Sequence, residues 1–554
     1  MKLLEKHFDT AFNAHNSVKR LRQLILNLAV RGKLVSQDPN DLPASEILEK
    51  ARTERQKLID EKKIRQPKLS SEVSQTDLPY ELPLGWAWVR FGDISINRDA
   101  ERIPISKEQR EGTQGVYDYY GASGIIDKID DYLFEGDLLL IGEDGANLIN
   151  RSTPIAFIAR GKYWVNNHAH VIDAHDHDLL LYLEKYINAI DLKPYVTGTA
   201  QPKMNQVKMN SIMVALPPIP EQRRIVAKID QLMARCDELE KLRAERDRLQ
   251  ITVHKVACDR LLTAKDPDTF TRSWQFITQH FSELYSVKEN VTELRKAILQ
   301  LAVMGKLVPQ APNDISASDL LEEISLEKQR LIKEKTTRKS KPLPELTQDD
   351  FPFSIPNSWR WSKFEDLVDI GSGVTKGRKL AGRKVIALPY LRVANVQRGY
   401  LDLDVIKKIE IPKDEIDKYA LHQGDLLLTE GGDWDKVGRA AIWNSEITPC
   451  IHQNHVFKAR RYISKQNVHW LECFLNSAPA RDYFAGASKQ TTNLASINKT
   501  QLRRCPIPMP PLPEQHRIVT KVDQLMTLCD TLEQQIDAAT QKQTALLNVI
   551  INQI

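Results

Sequence analysis

Four histidines and three aspartates crowd into the eleven residues from His168 to Asp178: His168, His170, His175 and His177 with Asp173, Asp176 and Asp178. Two His-x-His spacings of this kind are compatible with a metal ion. The other half of the chain keeps one counterpart, His455 in Gln453-Asn454-His455. Histidines of a strand and loop, facing phosphates or a satisfied core, are therefore the preferred reading, and no metal site is assigned. A second group of residues suits nucleic acid. Asn and Gln pair bidentately with adenine and Arg with guanine, while Lys, Ser, Thr and backbone amides hold phosphates. Arg392, Asn395, Gln397 and Arg398 lie close together in PYLRVANVQRGY, after a basic loop with Arg378, Lys379, Arg383 and Lys384. Earlier in the chain Arg98, Arg102, Lys107, Arg110 and the pair Tyr119-Tyr120 lead into GASG at 121–124. Loops are polar in any case, so each of these also has a plain solvated reading.

Catalytic signatures are missing. GSGVTKGRKLAGRK at 371–384 is glycine-rich and basic but lacks the GxxxxGK[ST] spacing that cradles phosphates. The proline pairs Pro217-Pro218 and Pro510-Pro511 have neither the polar residue before nor the aromatic after that an adenine methyltransferase uses. The sequence reads as having no nucleotide cofactor pocket.

The elements that must position these residues come in duplicate. LPPIPEQRRIVAKIDQLMARCDELE from Leu216 returns as MPPLPEQHRIVTKVDQLMTLCDTLE from Met509, with 17 of 25 positions identical at an offset of 293. LAVRGKLV from Leu28 returns as LAVMGKLV from Leu301, and Trp86-Ala-Trp88 as Trp359-Arg-Trp361, both at an offset of 273. The copies run from about Phe8 to Leu261 and from Phe281 to Ile554, joined by residues 262–280. In each, Pro and Glu open a long closing helix. Its apolar residues step by four and three, Ile225, Ile229, Leu232, Cys236, Leu239 and Ile518, Val522, Leu525, Cys529, Leu532, as a coiled-coil seam does. These helices are structural. Opening helices near 11–30 and 284–303 end at Gly32 and Gly305, placed as C-caps. Charged helical stretches follow them, read as solvated faces. The middles read mainly as short strands with turns, distantly related through a shared Gly-Asp-Leu-Leu-Leu.

Bulk numbers set limits. At 554 residues, 42% hydrophobic and 27% charged, the chain has an ordinary globular composition and room for several domains. No apolar run is long enough for a membrane span and no secretory signal is evident, so no membrane partner is expected. Six cysteines without a regular framework fit reduced thiols and a cytoplasmic location. Net charge is +5, unevenly spread. From Ser95 to Leu216 there are 12 Lys and Arg against 17 Asp and Glu, a balance of −5; from Ser362 to Met509 there are 23 against 16, a balance of +7.

Together the doubled PPIPEQRRIVAKID and PPLPEQHRIVTKVD, the doubled LAVxGKLV and the Trp pairs resemble the specificity subunit of a type I restriction-modification system over nearly the whole chain. YYGASGIID, YWVNNHAHV, PYLRVANVQ and GDLLLTEGGDWDKVGRAAIWN in the middles add to the likeness. The resemblance implies an α+β fold in which two β-rich target-recognition domains are separated by long antiparallel coiled-coil helices, with an internal pseudo-twofold repeat. The expected division is an N-terminal helical region at 1–80, recognition domains at 81–216 and 346–510, a helical spacer at 217–345 and a closing helix at 511–554. Such a chain is not catalytic. It reads a bipartite double-stranded DNA target and binds two modification subunits and the restriction subunits, which bring S-adenosylmethionine, ATP and Mg. Pseudo-symmetry further predicts that residues 514–554 pack beside residues 8–32, with Phe8 near Ile554. Two rival readings remain: a protein-interaction scaffold without sequence reading, and a stand-alone nuclease centred on residues 168–178.

Overall fold

A glycine ends each opening helix. Ser17–Val30 stops in a turn where Gly32 and Lys33 donate to the carbonyls of Ala29 and Leu28; Lys288–Val303 stops identically through Gly305 and Lys306. Both glycines adopt the left-handed conformation, φ 65° and 69°, that closes a helix in this way. Space adds a second requirement. A β-carbon on Gly32 would sit 2.4 Å from Pro83 Cγ and 3.1 Å from Trp86, and one on Gly305 would meet Pro356 and Trp359. The two motifs that recur at an offset of 273 are thus one packed joint, made twice.

The third motif completes it. Trp86 donates its indole N–H to Glu221 at 2.9 Å, Gln37 donates to the same carboxylate, and Arg224 pairs with Asp41 at 2.7 Å. Trp359, Gln310, Glu514, Arg517 and Asp314 repeat every one of these bonds. Gln222 and Gln515 donate back to the carbonyls of Pro217 and Pro510, two residues before the helix. Burial raises the pKa of both Glu221 and Glu514, against the lowering by their Trp and Gln donors. Pro-Glu-Gln is a clasp at a helix start, tying it to the opening helix and the tryptophan.

The computed structural model describes residues 17–61, 78–110, 115–198, 201–380, 382–432, 436–487, 489–491 and 494–552. It divides into two units, one holding residues up to Glu245 and from Thr540 onward, the other Arg246–Ala539. In the first unit the closing helix, the part of Ile219–Thr263 up to Glu245, lays Ile225, Ile229 and Cys236 against Val18, Ile25 and Ala29 of the opening helix. Arg22 bridges to Asp237 and Glu240, and Arg243 reaches Ser17, so the two helices run antiparallel. In the second unit Leu512–Asn552 packs likewise on Lys288–Val303, with Arg295 on Asp530 and Lys288 on Asp537. Most of this helix therefore packs within its own copy, where its clasp holds it, and only residues from Thr540 belong to the first unit. This corrects the expectation that all of 514–554 lies beside 8–32; Phe8 and Ile554 lie outside the described residues.

Between its helices each copy carries a lobe closed at the neck by two antiparallel strands. Ala87–Arg90 pairs with Met213–Leu216, and Arg360–Lys363 with Pro506–Met509. Both lobes share a four-stranded sheet in the same order: Ile96–Asn97, Ala169–Asp173, Leu138–Gly142, Ala156–Ala159 in the first, and Val368–Ser372, Val456–Arg461, Leu426–Thr429, Ala440–Ile442 in the second. Leu-Leu-Leu after Gly-Asp is the buried inner strand of each. Helices absent from the sequence reading cover these sheets. His177–Ala189, capped by Asp176, seats Leu179, Leu183 and Ile187 in the first core, and Val468–Leu475 and Ala478–Ala487 serve the second.

Candidate nucleic-acid interface

Each lobe also carries an antiparallel ribbon within a second sheet. In the first lobe Tyr117–Gly121 and Gly124–Ile129 are joined by Ala122 and Ser123 alone; in the second Val385–Leu391 and Lys407–Pro412 are joined by residues 392–406. A parallel strand pairs with the first strand of each at its turn end, Tyr120 opposite Val165 and Leu391 opposite His452. The ribbons are equivalent in place and unlike in chemistry. Lys407 and Lys408 at the turn end and Lys384 and Lys413 at the far end are exposed on the second, where the first presents Ile125, Ile126 and Lys128.

The first lobe uses its candidate residues largely on itself. Arg98 pairs with Glu101 at 2.7 Å and lies over the Phe134 ring, and Arg102 is held between Glu143 at 3.0 Å and the Ala169 carbonyl. Arg110 donates to Asp127 and covers the ring of Tyr119, which is only 1% exposed. Tyr120, the next residue of the strand, stacks on Phe157 and meets Tyr163 edge-on. Lys107 opens the short helix Lys107–Arg110.

In the second lobe Arg378 and Arg383 converge on Glu415 at 2.8 and 2.6 Å, while Lys379 and Lys384 are exposed. Asn395 is buried in the ribbon loop. Its side-chain oxygen accepts from the Arg392 amide, and its nitrogen donates to the carbonyls of Asp402 and Val405. Arg392 also donates to Val405, and Gln397 accepts from Arg439 and donates to Ala394. Arg398 is half-buried. Asn395 and Gln397 therefore brace the loop, and their amide edges are already occupied, that of Gln397 partly by Arg439.

The histidine-rich segment separates on folding. His170 points inward, 1% exposed, with Nδ1 2.6 Å from Asp99 and Nε2 2.8 Å from the Met204 carbonyl. Burial opposes its protonation, but the hydrogen bond and charge of Asp99 outweigh this and raise its pKa. His168 points outward to Asp144 at 2.8 Å, and His177 begins a helix. Among the described residues no three His, Cys, Asp or Glu side chains are placed to hold one metal ion. Sequence reasoning passed over a pair that recurs here: His455 meets Glu430 at 2.6 Å in the second lobe, as His168 meets Asp144 in the first. The Asn-Asn-His and Gln-Asn-His triplets were its visible signal.

Residues 83–247 and 356–541 match the family described as type I restriction modification DNA specificity domain. The chain belongs to this family. It is a specificity subunit, the DNA-recognizing component of such a system, with no catalytic role of its own. It is 30% identical to the EcoAI type I restriction enzyme specificity subunit of Escherichia coli, over 96% of this chain and 93% of that protein. To the EcoEI specificity subunit of the same organism it is 27% identical over the same shares. Among solved structures it is similar to the HsdS subunit of Thermoanaerobacter tengcongensis, at 18% identity and a TM-score of 0.39, covering 86% of this chain and 98% of that one. Among the described residues no helix is long and apolar enough to cross a membrane.

Proposed function

We propose that this specificity subunit reads a bipartite double-stranded DNA target, one half with each lobe, and brings two modification subunits and the restriction subunits to it. In functional terms the helical region at 1–80, the readers at 81–216 and 346–510, the spacer at 217–345 and the closing helix at 511–554 divide the work. S-adenosylmethionine, ATP and Mg belong to the partners' chemistry, and the complex works in the cytoplasm. One observation carries this reading: two lobes that share a four-stranded sheet of one strand order, closed by equivalent necks and seated on matching clasps, present unlike ribbons. A common frame with altered tips is what two independent readers require.

Affinity comes first from phosphate contacts. Lys379, Lys384, Lys407, Lys408 and Lys413 form the second reader's phosphate-facing group, with Arg392 and Arg398 at the loop. Lys107, Arg98, Arg102 and Arg110 are the corresponding cations of the first, mostly tied to carboxylates. The reading is tested by sequencing methylated adenines in DNA from cells that express this chain with a modification subunit. A split, asymmetric methylated motif that disappears with the chain is expected. An active modification subunit that yields no such motif would refute the proposal.

A further inference from the structure

The two readers have diverged at their ribbons, yet each keeps one exposed imidazole clamped by a carboxylate. His168 Nδ1 lies 2.8 Å from Asp144, and His455 Nδ1 lies 2.6 Å from Glu430. Backbone bonds define the equivalence of the sites. The amides of Glu143 and Glu430 donate to the carbonyls of His168 and His455 at 2.8 and 2.9 Å. The amides of Met204 and Ile497 donate in turn to the carbonyls of Glu143 and Glu430. Asn205 and Asn498 then cap the next helix in each reader.

On this shared backbone the carboxylate comes from different positions. In the second reader it belongs to Glu430 itself. In the first, Glu143 is committed to Arg102 and Lys203, and the neighbouring Asp144 takes the imidazole instead. The contact has persisted while the residue supplying it has moved. Stability does not account for that, because an ion pair between half-exposed groups contributes only about 0–1 kcal/mol. These side chains are 52% and 55% exposed.

The chemistry left over points outward. The carboxylate holds the Nδ1 side of each ring, which fixes the ring plane and leaves the Nε2 side for another partner. Nε2 of neither histidine has a hydrogen-bond partner among the described residues. Each histidine also follows closely on a bond to the turn end of its ribbon: the amides of Asn166 and Gln453, two residues before the histidines, donate to the carbonyls of Tyr120 and Leu391, where the ribbon turns begin. An oriented imidazole edge at that point suits the edge of a base in the major groove.

We infer that His168 and His455 are base-contacting specificity residues, one in each reader, with Asp144 and Glu430 as their positioning residues. This rests on the proposal that each lobe reads one half of a DNA target. The test uses the full chain in complex with its modification subunits. Binding is measured to the methylated-motif duplex, to the same duplex with single base changes in either half, and to unrelated DNA. H168A and H455A, with H168Q and H455Q as volume-conserving partners, should each weaken target binding about ten- to a hundredfold. Each should also relax base preference at one position, in opposite halves, and leave binding to unrelated DNA unchanged. D144N and E430Q should relax the same positions less. Unchanged base preference in the histidine variants, or equal losses on every DNA, would overturn the inference. Failure of the unaltered complex to discriminate any sequence would instead overturn the function on which it rests.

Discussion

The two readers are alike where they are held and unlike where they face outward. Both hang from antiparallel necks, Ala87–Arg90 with Met213–Leu216 and Arg360–Lys363 with Pro506–Met509, and both necks join a clasp of Trp, Gln and Glu. Their surfaces diverge in charge, −5 for Ser95 to Leu216 against +7 for Ser362 to Met509. The excess of cations in the second gathers partly on its ribbon, at Lys384, Lys407, Lys408 and Lys413. Arginines face carboxylates in both, Arg98, Arg102 and Arg110 in the first reader and Arg378 and Arg383 in the second, so the difference lies in the exposed lysines. The difference teaches that one frame tolerates opposite electrostatics, because frame and reading surface use separate residues. On the proposed function, the second reader is expected to supply most of the chain's own phosphate attraction and the first to depend more on shape and base contacts.

The strongest way to break this comparison is to exchange a reader. Replacing the segment between the first neck strands with another reader's should change one half of the methylated motif entirely and leave the other intact. Several mismatched base pairs, each costing about 1–3 kcal/mol, make this the largest effect expected. Motif sequencing checks it, and a change in both halves would mean that the lobes do not read independently.

A smaller asymmetry lies in protonation. Burial raises the pKa of Glu472, under the second sheet, from the usual 4.5 to about 7, although its carboxylate accepts from the Ile442 amide. A carboxyl whose folded pKa is raised stabilises the fold fully below about 4.5, and that contribution is lost as pH rises through about 7. The span amounts to about 3 kcal/mol. E472Q should therefore flatten the pH dependence of the second unit between those limits and raise its stability at pH 8. Denaturant melts at several pH values measure this, and an unchanged slope would place the proton elsewhere.

The clasps offer a sharper comparison because they should respond alike. W86F and W359F each remove the indole donor from a buried carboxylate and should each cost about 1–3 kcal/mol. Unfolding midpoints of the two variants check the symmetry; a marked difference would show that the copies are not held equivalently. The smallest effect expected belongs to the ribbons. K407A with K408A should reduce the salt slope of DNA binding by about two, roughly a tenfold change in the affinity ratio between 50 and 200 mM salt. K128A in the first ribbon should leave the slope nearly unaltered.

Much of the frame could be read from the sequence because its signals are local or repeated. Heptad steps placed the seams, Gly32 and Gly305 marked helix ends, and equal offsets paired motifs that prove to be in contact. Lobe details were less legible. The helix at His177–Ala189 lay hidden in a segment that suggested metal ligands, although Asp176 is an ordinary helix cap there. Residue type also failed to separate display from bracing. Asn395 and Gln397 have the right amides for a base, but short polar side chains readily satisfy nearby backbone, and both do so here. His168 and Asp144 stand 24 positions apart and meet only once strand register is set, which no local pattern encodes.

The most direct test of two independent readers on one frame is single-molecule methylation sequencing of DNA from cells expressing this chain with its modification subunit, before and after deletion of the chain. The account predicts a methylated adenine motif in two separated halves that vanishes on deletion. A motif that is continuous, or that persists without the chain, would contradict it.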